Sequence, residues 1–198
     1  TGYGGGVYPV GNGRAAWTLS YVSPPGERDE PGQVRAHAEQ IARVLPEVLR
    51  DRVSKTPDDA IIRTDVWYHE FRENWGEGPV TLLGDAAHAM PNDLGQGACQ
   101  AIEDAAVLAD ALALAADPVS GLRDYERRRY ERVRWVHAQS VTVATAPELK
   151  NPVTRWLMGK ATRLYLAIAE KGMWRQMQQP PELVAPEALS PARKGASA

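Results

Sequence analysis

One stretch of the 198-residue chain concentrates the residues that could do chemistry. It reads Leu83-Gly84-Asp85-Ala86-Ala87-His88-Ala89-Met90-Pro91-Asn92-Asp93-Leu94-Gly95-Gln96-Gly97-Ala98-Cys99-Gln100-Ala101-Ile102-Glu103-Asp104-Ala105. The apolar run Pro79 to Leu83 reads as a short, fully buried strand that stops at Gly84. Asp85 then places one carboxylate at the carboxyl end of that strand, where it can accept hydrogen bonds from hydroxyls. The small residues around it let a bulky ligand approach the backbone. A helix begins through Gly95-x-Gly97, and the open N–H groups of a helix start favour partial negative charge. Together these features suit a polyol joined to a group that gains negative charge. The two glycines are not a dinucleotide fingerprint, because the third would fall at Gln100 and no strand immediately precedes the first.

These residues must be positioned by elements that can be traced along the chain. Tyr3 to Val22 reads as a β-hairpin turning at Asn12-Gly13, two residues that tolerate positive φ. Trp17, Leu19 and Tyr21 alternate with Thr18, Ser20 and Val22, as in a half-buried strand. Gly4-Gly5-Gly6 is not followed by a helix pattern, so it marks a bulge or close backbone approach rather than a phosphate loop. After a Pro/Gly/charge loop, Val34 to Leu45 keeps helical spacing, and Pro46 opens a short second helix through Arg52. Ala60 to Glu70 alternates as a strand. A helix follows from about Gln96 to Ala116, with an apolar face of Ile102, Ala105, Ala106, Ala109, Leu112, Ala113 and Ala116. Asp117-Pro118 caps the next helix, to about Ala146. Its arginines, Arg127, Arg128, Arg129 and Arg132, interleave with Glu126 and Glu131 and read as a solvated, salt-bridged face. A last helix is expected from Val153 to Met173, and an extended or disordered tail from Gln178.

Composition excludes several classes of function. Hydrophobic residues make up 43% and charged residues 24%, as in an ordinary globular protein. A net charge of −2 gives no bulk attraction to nucleic acid or anionic membrane, so neither is expected as a partner. No apolar run approaches the roughly 20 residues needed to span a bilayer. Cys99 is the only cysteine, which rules out an internal disulfide and fits a reducing, cytoplasmic setting. The chain opens Thr1-Gly2-Tyr3, without methionine, and enters a strand pattern almost at once, which reads as a fragment or cleaved product.

The Leu83 to Ala105 stretch resembles the second flavin-binding motif of the class A flavoprotein monooxygenases, the family of para-hydroxybenzoate and salicylate hydroxylases. That motif runs Gly-Asp-Ala-Ala-His, a Pro-containing loop, Gly-x-Gly, then Ala-Ile-Glu-Asp-Ala. Tyr8-Pro9-Val10-Gly11-Asn12-Gly13-Arg14 is similar to the family's substrate-domain hairpin, and Trp75 through Asp85 to its approach to the motif. The resemblance implies the C-terminal half of an α/β enzyme, an α+β fragment. It would hold part of the substrate-domain sheet (1–75), the final strand and flavin-contacting helix of the FAD domain (76–147), a helical segment (148–177) and a tail (178–198). It also implies FAD as cofactor, NAD(P)H as co-substrate and a small aromatic or polycyclic substrate that is hydroxylated with oxygen; the alternatives are epoxidation, Baeyer–Villiger or oxidase chemistry on the same flavin, or a non-catalytic remnant that acts only as a binding partner. The dinucleotide-binding N-terminal half would come from the same polypeptide or a second chain.

By that resemblance Asp85 binds the flavin's ribityl chain, and Gly84 allows its close passage. Pro91 lines the ring face, and the backbone of Leu94, Gly95, Gln96 and Gly97 sits at the pyrimidine end. Trp67, His69 and Phe71 alternate along a strand that could face substrate, and Trp67, His69 and Asn92 are the pocket candidates. No catalytic residue and no metal site is assigned. His37 reads as a packed or rim residue, His88 as a tie for the loop, and Cys99 as a small packed residue. Trp156, Met158, Met173, Trp174 and Met177 suggest an apolar C-terminal surface. One departure stands out: where the family tends to place a proline after Pro91, this chain has Asn92.

Overall fold

The computed structural model describes residues 3–145, Lys160, Gly172, Arg175, Met177 and 179–184. The described residues form two compact units, one up to Asp65 and one from Val66 onward.

In the first unit, β1 (Tyr3–Gly11) pairs antiparallel with β2 (Arg14–Tyr21), placing Val7 opposite Trp17 and Gly5 opposite Leu19. Asn12 and Gly13 turn the chain with φ of 51° and 70°. Positive φ at both central residues matches the right-handed twist of the flanking strands. Along β2, Trp17, Leu19 and Tyr21 are half-buried while Thr18 and Ser20 are exposed. Over β1 lie α1 (Val34–Ala42) and α2 (Glu47–Lys55), the latter entered through Pro46. Ala38, Ala42 and Val53 form the core, with Trp17, Leu19 and Ile61 against it. The glycine run is a close approach: a Cβ on Gly5 would stand 2.7 Å from Thr18 O and 3.0 Å from Leu49 Cδ1. His37 is a rim residue, its Nδ1 2.6 Å from Asp29 Oδ1 and its ring edge-on to Tyr21.

The strand expected over Ala60 to Glu70 is not formed. A single 3-10 turn covers Asp58–Ala60, and residues 61–70 then have no ladder partner among the described residues. Alternation in sequence reports which face is apolar, whereas a strand needs a neighbour's N–H and C=O groups.

The second unit is built around two long helices. A minimal hairpin, β3 (Gly76–Glu77) with β4 (Val80–Thr81), leads into the one-turn α3 (Asp85–His88). The expected buried strand Pro79 to Leu83 is thus only two paired residues, with Val80 exposed. After a 3-10 turn at Asn92–Leu94 come α4 (Gly97–Leu114) and α5 (Pro118–Thr145). Asp117 caps α5, its Oδ1 accepting the Ser120 amide at 3.1 Å. A Cβ on Gly121 would be 3.0 Å from both Ala115 Cβ and Leu112 Cδ2, so the helices cross closely at this end. Trp75, Ala87, Val107, Ala111, Tyr125 and Val133 make the core, with Phe71, Leu82, Leu108, Tyr130 and Leu183 packed on it. Phe71, offered above as substrate-facing, is therefore a core residue, edge-on to Trp75 and Tyr130.

Three further expectations are corrected here. The buried face of α4 carries Gln100, Asp104, Val107, Asp110 and Ala111, while the apolar face read from the sequence is largely exposed, Ile102 at 71%. Of the four α5 arginines read as a solvated, salt-bridged face, Arg127 is solvated and paired with Asp124, and the other three turn toward α4. Arg129 is 1% exposed, and Arg128 and Arg132 reach Asp110 and Glu103 on α4, so the buried carboxylates and the arginines explain each other. Cys99 is exposed rather than packed. Part of the tail is also held, since Val184 N donates to Asp110 Oδ2 and Arg128 Nη2 donates to Glu182 O. Of the last expected helix, Lys160 and Gly172 are helical and the rest lies outside the described residues, as do Trp156, Met158, Met173 and Trp174. Met177 is buried.

Candidate functional site

The chemistry-bearing stretch folds into a turn laid against the start of α4. Gly84 takes φ 60° and ψ −140°, a conformation open essentially to glycine alone. A Cβ there would also come 3.2 Å from Ala101 Cβ. Glycine thus lets the chain reverse into α3 while touching α4. The Asp85 side chain is exposed and has no hydrogen-bond partner among the described residues. Its Oδ1 would be 3.9 Å from a Cβ on Gly97, so the carboxylate stands beside the first turn of α4.

That first turn is open. Gly95 is left-handed, with φ 62° and ψ 22°, and no side chain caps the helix at Gln96. The first intrahelical bond runs from Gln100 N to Gln96 O at 2.9 Å. The amides of Gly97, Ala98 and Cys99 therefore have no acceptor within the helix. Pro91 is buried, whereas Asn92 and Asp93 are exposed on the connecting turn.

Behind the turn lies a buried polar knot. Asp104 Oδ2 accepts the Gly84 amide at 3.0 Å and lies 2.6 Å from His88 Nε2, while Oδ1 accepts Arg129 Nε at 2.7 Å. Arg129 also donates to Glu103 Oε2 and Gln100 Oε1, both at 2.8 Å. Burial pushes the Asp104 carboxyl upward, but the hydrogen bonds from His88, Arg129 and Gly84 outweigh it and hold the group below its ordinary range. The Tyr125 phenol is pushed up, first by burial and then by the Asp104 charge. His88 ties the loop down as expected, and its ring is wholly buried.

The pocket candidates are placed differently from one another. His69 directs Nε2 to the Asp85 carbonyl at 3.2 Å, and its own carbonyl accepts His137 Nε2 at 3.0 Å. Burial lowers the His137 pKa, against the opposing pull of the His69 and Ala89 carbonyls. Trp67 is 77% exposed. Sequence reasoning passed over Gln100, Asp104, Arg129 and His137. The signal was the pair of polar residues Gln100 and Asp104 in helical register with Val107 and Ala111, ahead of a helix rich in arginine.

Chemically, the turn offers one hydroxyl-accepting carboxylate beside three open amides. It can bind and orient a ligand. Among the described residues no group of His, Cys, Asp and Glu is arranged to hold a metal ion, and no helix is long and apolar enough to cross a membrane.

Comparison with known proteins identifies the family. The family described as FAD binding domain matches residues 2–140. Aurachin C monooxygenase/isomerase of Stigmatella aurantiaca is 34% identical over 165 residues, covering 80% of this chain and 41% of that protein. Chloroplastic zeaxanthin epoxidase of Nicotiana plumbaginifolia is 38% identical over 138 residues, covering 65% of this chain and 21% of that protein. The chain thus spans less than half the length of these relatives. The structure of Klebsiella pneumoniae HpxO complexed with FAD and uric acid shares the fold, with a TM-score of 0.76 over 91% of this chain and 46% of that one at 24% identity. FqzB matches with a TM-score of 0.54 over 86% of this chain and 44% of that one at 26% identity. The family match covers well over half of the chain, which belongs to the FAD binding domain family, that of the class A flavoprotein monooxygenases.

Proposed function

We propose that this chain is the flavin-contacting and substrate-side part of an FAD- and NAD(P)H-dependent monooxygenase that hydroxylates a small aromatic or polycyclic substrate. The observation that carries the reading is the Asp85 carboxylate, unpartnered among the described residues, beside the uncapped first turn of α4. A ligand with hydroxyls at one point and developing negative charge at the next matches both. FAD has that layout, and the residues present fit it.

Asp85 would accept the ribityl hydroxyls, and Gly84, lacking a side chain, would let the ribityl pass. Pro91 and its neighbours would line the ring face, and the backbone from Leu94 to Gly97 would sit at the pyrimidine end. Bound FAD supplies the electron-transfer and oxygen chemistry. The chain's own part is to hold the ring, donate N–H groups where charge develops, and keep water out. Trp67, His69 and Asn92 remain the substrate-side candidates, with His69 reaching the site through the Asp85 carbonyl.

The reading needs a dinucleotide-binding half, from the same polypeptide or a second chain. Two surfaces support such a partner. The exposed apolar face of α4 includes Ile102, Ala105, Ala109 and Leu112. Residues 61–70 run without a ladder partner among the described residues. Epoxidation is the second reading, favoured by the likeness to zeaxanthin epoxidase.

The test is FAD retention in the assembly containing both halves. Asp85→Ala is expected to weaken FAD binding by roughly one to two decades, the worth of a charge-assisted hydrogen bond. Parental affinity in that variant would overturn the assignment. Product analysis with an aromatic and an alkene substrate then separates hydroxylation from epoxidation.

A further inference from the structure

Asp104 lies where three elements meet, and its two oxygens take every hydrogen bond that fixes the back of the turn. Oδ2 takes Gly84 N and His88 Nε2, and Oδ1 takes Arg129 Nε. Asp104 is 0% exposed and Arg129 1%. Gly84 is the N-cap of α3 and His88 its last residue, and Asp85 is the first residue between them. Asp85 is thus held from behind through both neighbours, while His69 takes its carbonyl from the other side.

We propose that Asp104, backed by Arg129, is a positioning residue for the flavin-contacting turn: by fixing the Gly84 amide and the His88 ring, it sets where the Asp85 carboxylate stands beside α4. The proposal rests on the FAD reading of Asp85. A buried ion pair kept only for stability is a poor device, since apolar residues of similar volume often serve as well or better. A glycine backbone is different, because with no side chain to fix it and the most conformational freedom to lose, its place depends on the bonds made to it. Carboxylate chemistry suits that task, since one side chain accepts from a main-chain amide, an imidazole and a guanidinium at once. An amide in its place has one acceptor oxygen and an NH2 that would face another donor. Asp104→Asn must therefore release the turn or the arginine.

Two measurements test this. The first is hydrogen exchange on the 198-residue chain without flavin. Asp104→Asn is expected to speed exchange of the Gly84 amide at least tenfold, with Ala111 and Val133 amides unchanged relative to each other. Val107→Ala, on the same buried face of α4 but without a bond to the turn, serves as the stability control and should leave Gly84 in step with its neighbours. The second is FAD titration of the assembly with both halves. Asp104→Asn should raise the FAD Kd at least tenfold and shift the bound flavin's absorbance bands. Val107→Ala should stay within twofold of the parent even at an equal loss in Tm. If Asp104→Asn alone fails to fold, Asp104→Asn with Arg129→Gln removes both buried charges and is read the same way.

Unchanged Gly84 exchange would overturn the proposal, as would equal loosening of Kd by Val107→Ala at matched Tm. Faster exchange with parental FAD affinity would also overturn it while leaving the FAD reading intact, provided that Asp85→Ala releases the cofactor. Parental FAD affinity in Asp85→Ala sinks the FAD reading, and this proposal with it.

Discussion

The two units use charge in opposite ways. In the first, most ion pairs lie at the rim, Arg28 with Asp65, Lys55 with Asp51 and Arg35 with Asp58 among them, and the most enclosed, Arg63 with Asp29, still keeps 15% and 9% of its side chains exposed. The core beneath them is small and apolar. In the second, Arg129 and Asp104 are inside, bonded to one another and to the backbone of the turn. A rim pair works in high dielectric and is screened by salt, so it adds little. A buried pair, once formed, makes each partner dependent on the other, because either left alone is an uncompensated charge. Charge placement therefore separates a unit that is packed from a unit that is also locked.

The largest expected effect tests that contrast directly. Arg129→Ala should destabilise the second unit by about 3–5 kcal/mol in urea denaturation, since it strands Asp104 in the interior. Lys55→Ala, which removes only the exposed pair with Asp51, should leave the denaturation midpoint of the first unit unmoved. Comparable losses in the two variants would erase the distinction.

Acid should weaken the lock. The Asp104 carboxyl is depressed in the folded state, so unfolding raises its pKa toward the ordinary value of about 3.9. The sign follows: the unfolded chain binds the proton first, and the stabilisation is complete above pH ~4 and lost as pH falls through the lower folded value. The stability gap between the parent and Asp104→Asn should be wide at neutral pH and narrow below pH ~4. A gap independent of pH would show that the carboxylate's charge is not what holds the knot.

The smallest effect concerns Asn92, on the exposed side of the same turn. Pro91 has φ −55° and ψ 146°, a conformation that suits the residue before a proline. Asn92 opens a 3-10 turn, where a proline is tolerated. Asn92→Pro should raise stability by about 0.4–1 kcal/mol through the unfolded chain's lost freedom. On the monooxygenase reading it should also lower hydrogen peroxide formed per NAD(P)H consumed, because a stiffer loop admits less water. A destabilised variant would mean that the asparagine amide is used locally.

Much of this was legible in the residues. Asn12-Gly13 and the Trp17, Leu19, Tyr21 alternation specify the hairpin, because turn chemistry and period-two burial are local properties. Gly84 and Gly95 were legible for the same reason: positive φ and, at Gly84, close approach leave a mark on the residue type itself. The buried face of α4 was not. Several of its apolar residues, Ile102 and Leu112 among them, look outward, while Gln100 and Asp104 look inward to Arg129. Periodicity ranks faces by hydrophobicity and knows nothing of the helix opposite. The segment after Ala60 failed similarly, since no local pattern reports whether a ladder partner is at hand.

The polar knot also bears on the order in which the chain can acquire its structure. Asp104 draws its partners from 16, 20 and 25 residues away, all between Gly84 and Arg129. Pairings of such short range cost little loop-closure entropy and form early. On a ribosome delivering the chain from its N-terminal end, the turn has everything it needs to close once Arg129 has emerged, before the residues that follow α5 have emerged. A cofactor could then meet a turn that is already shaped.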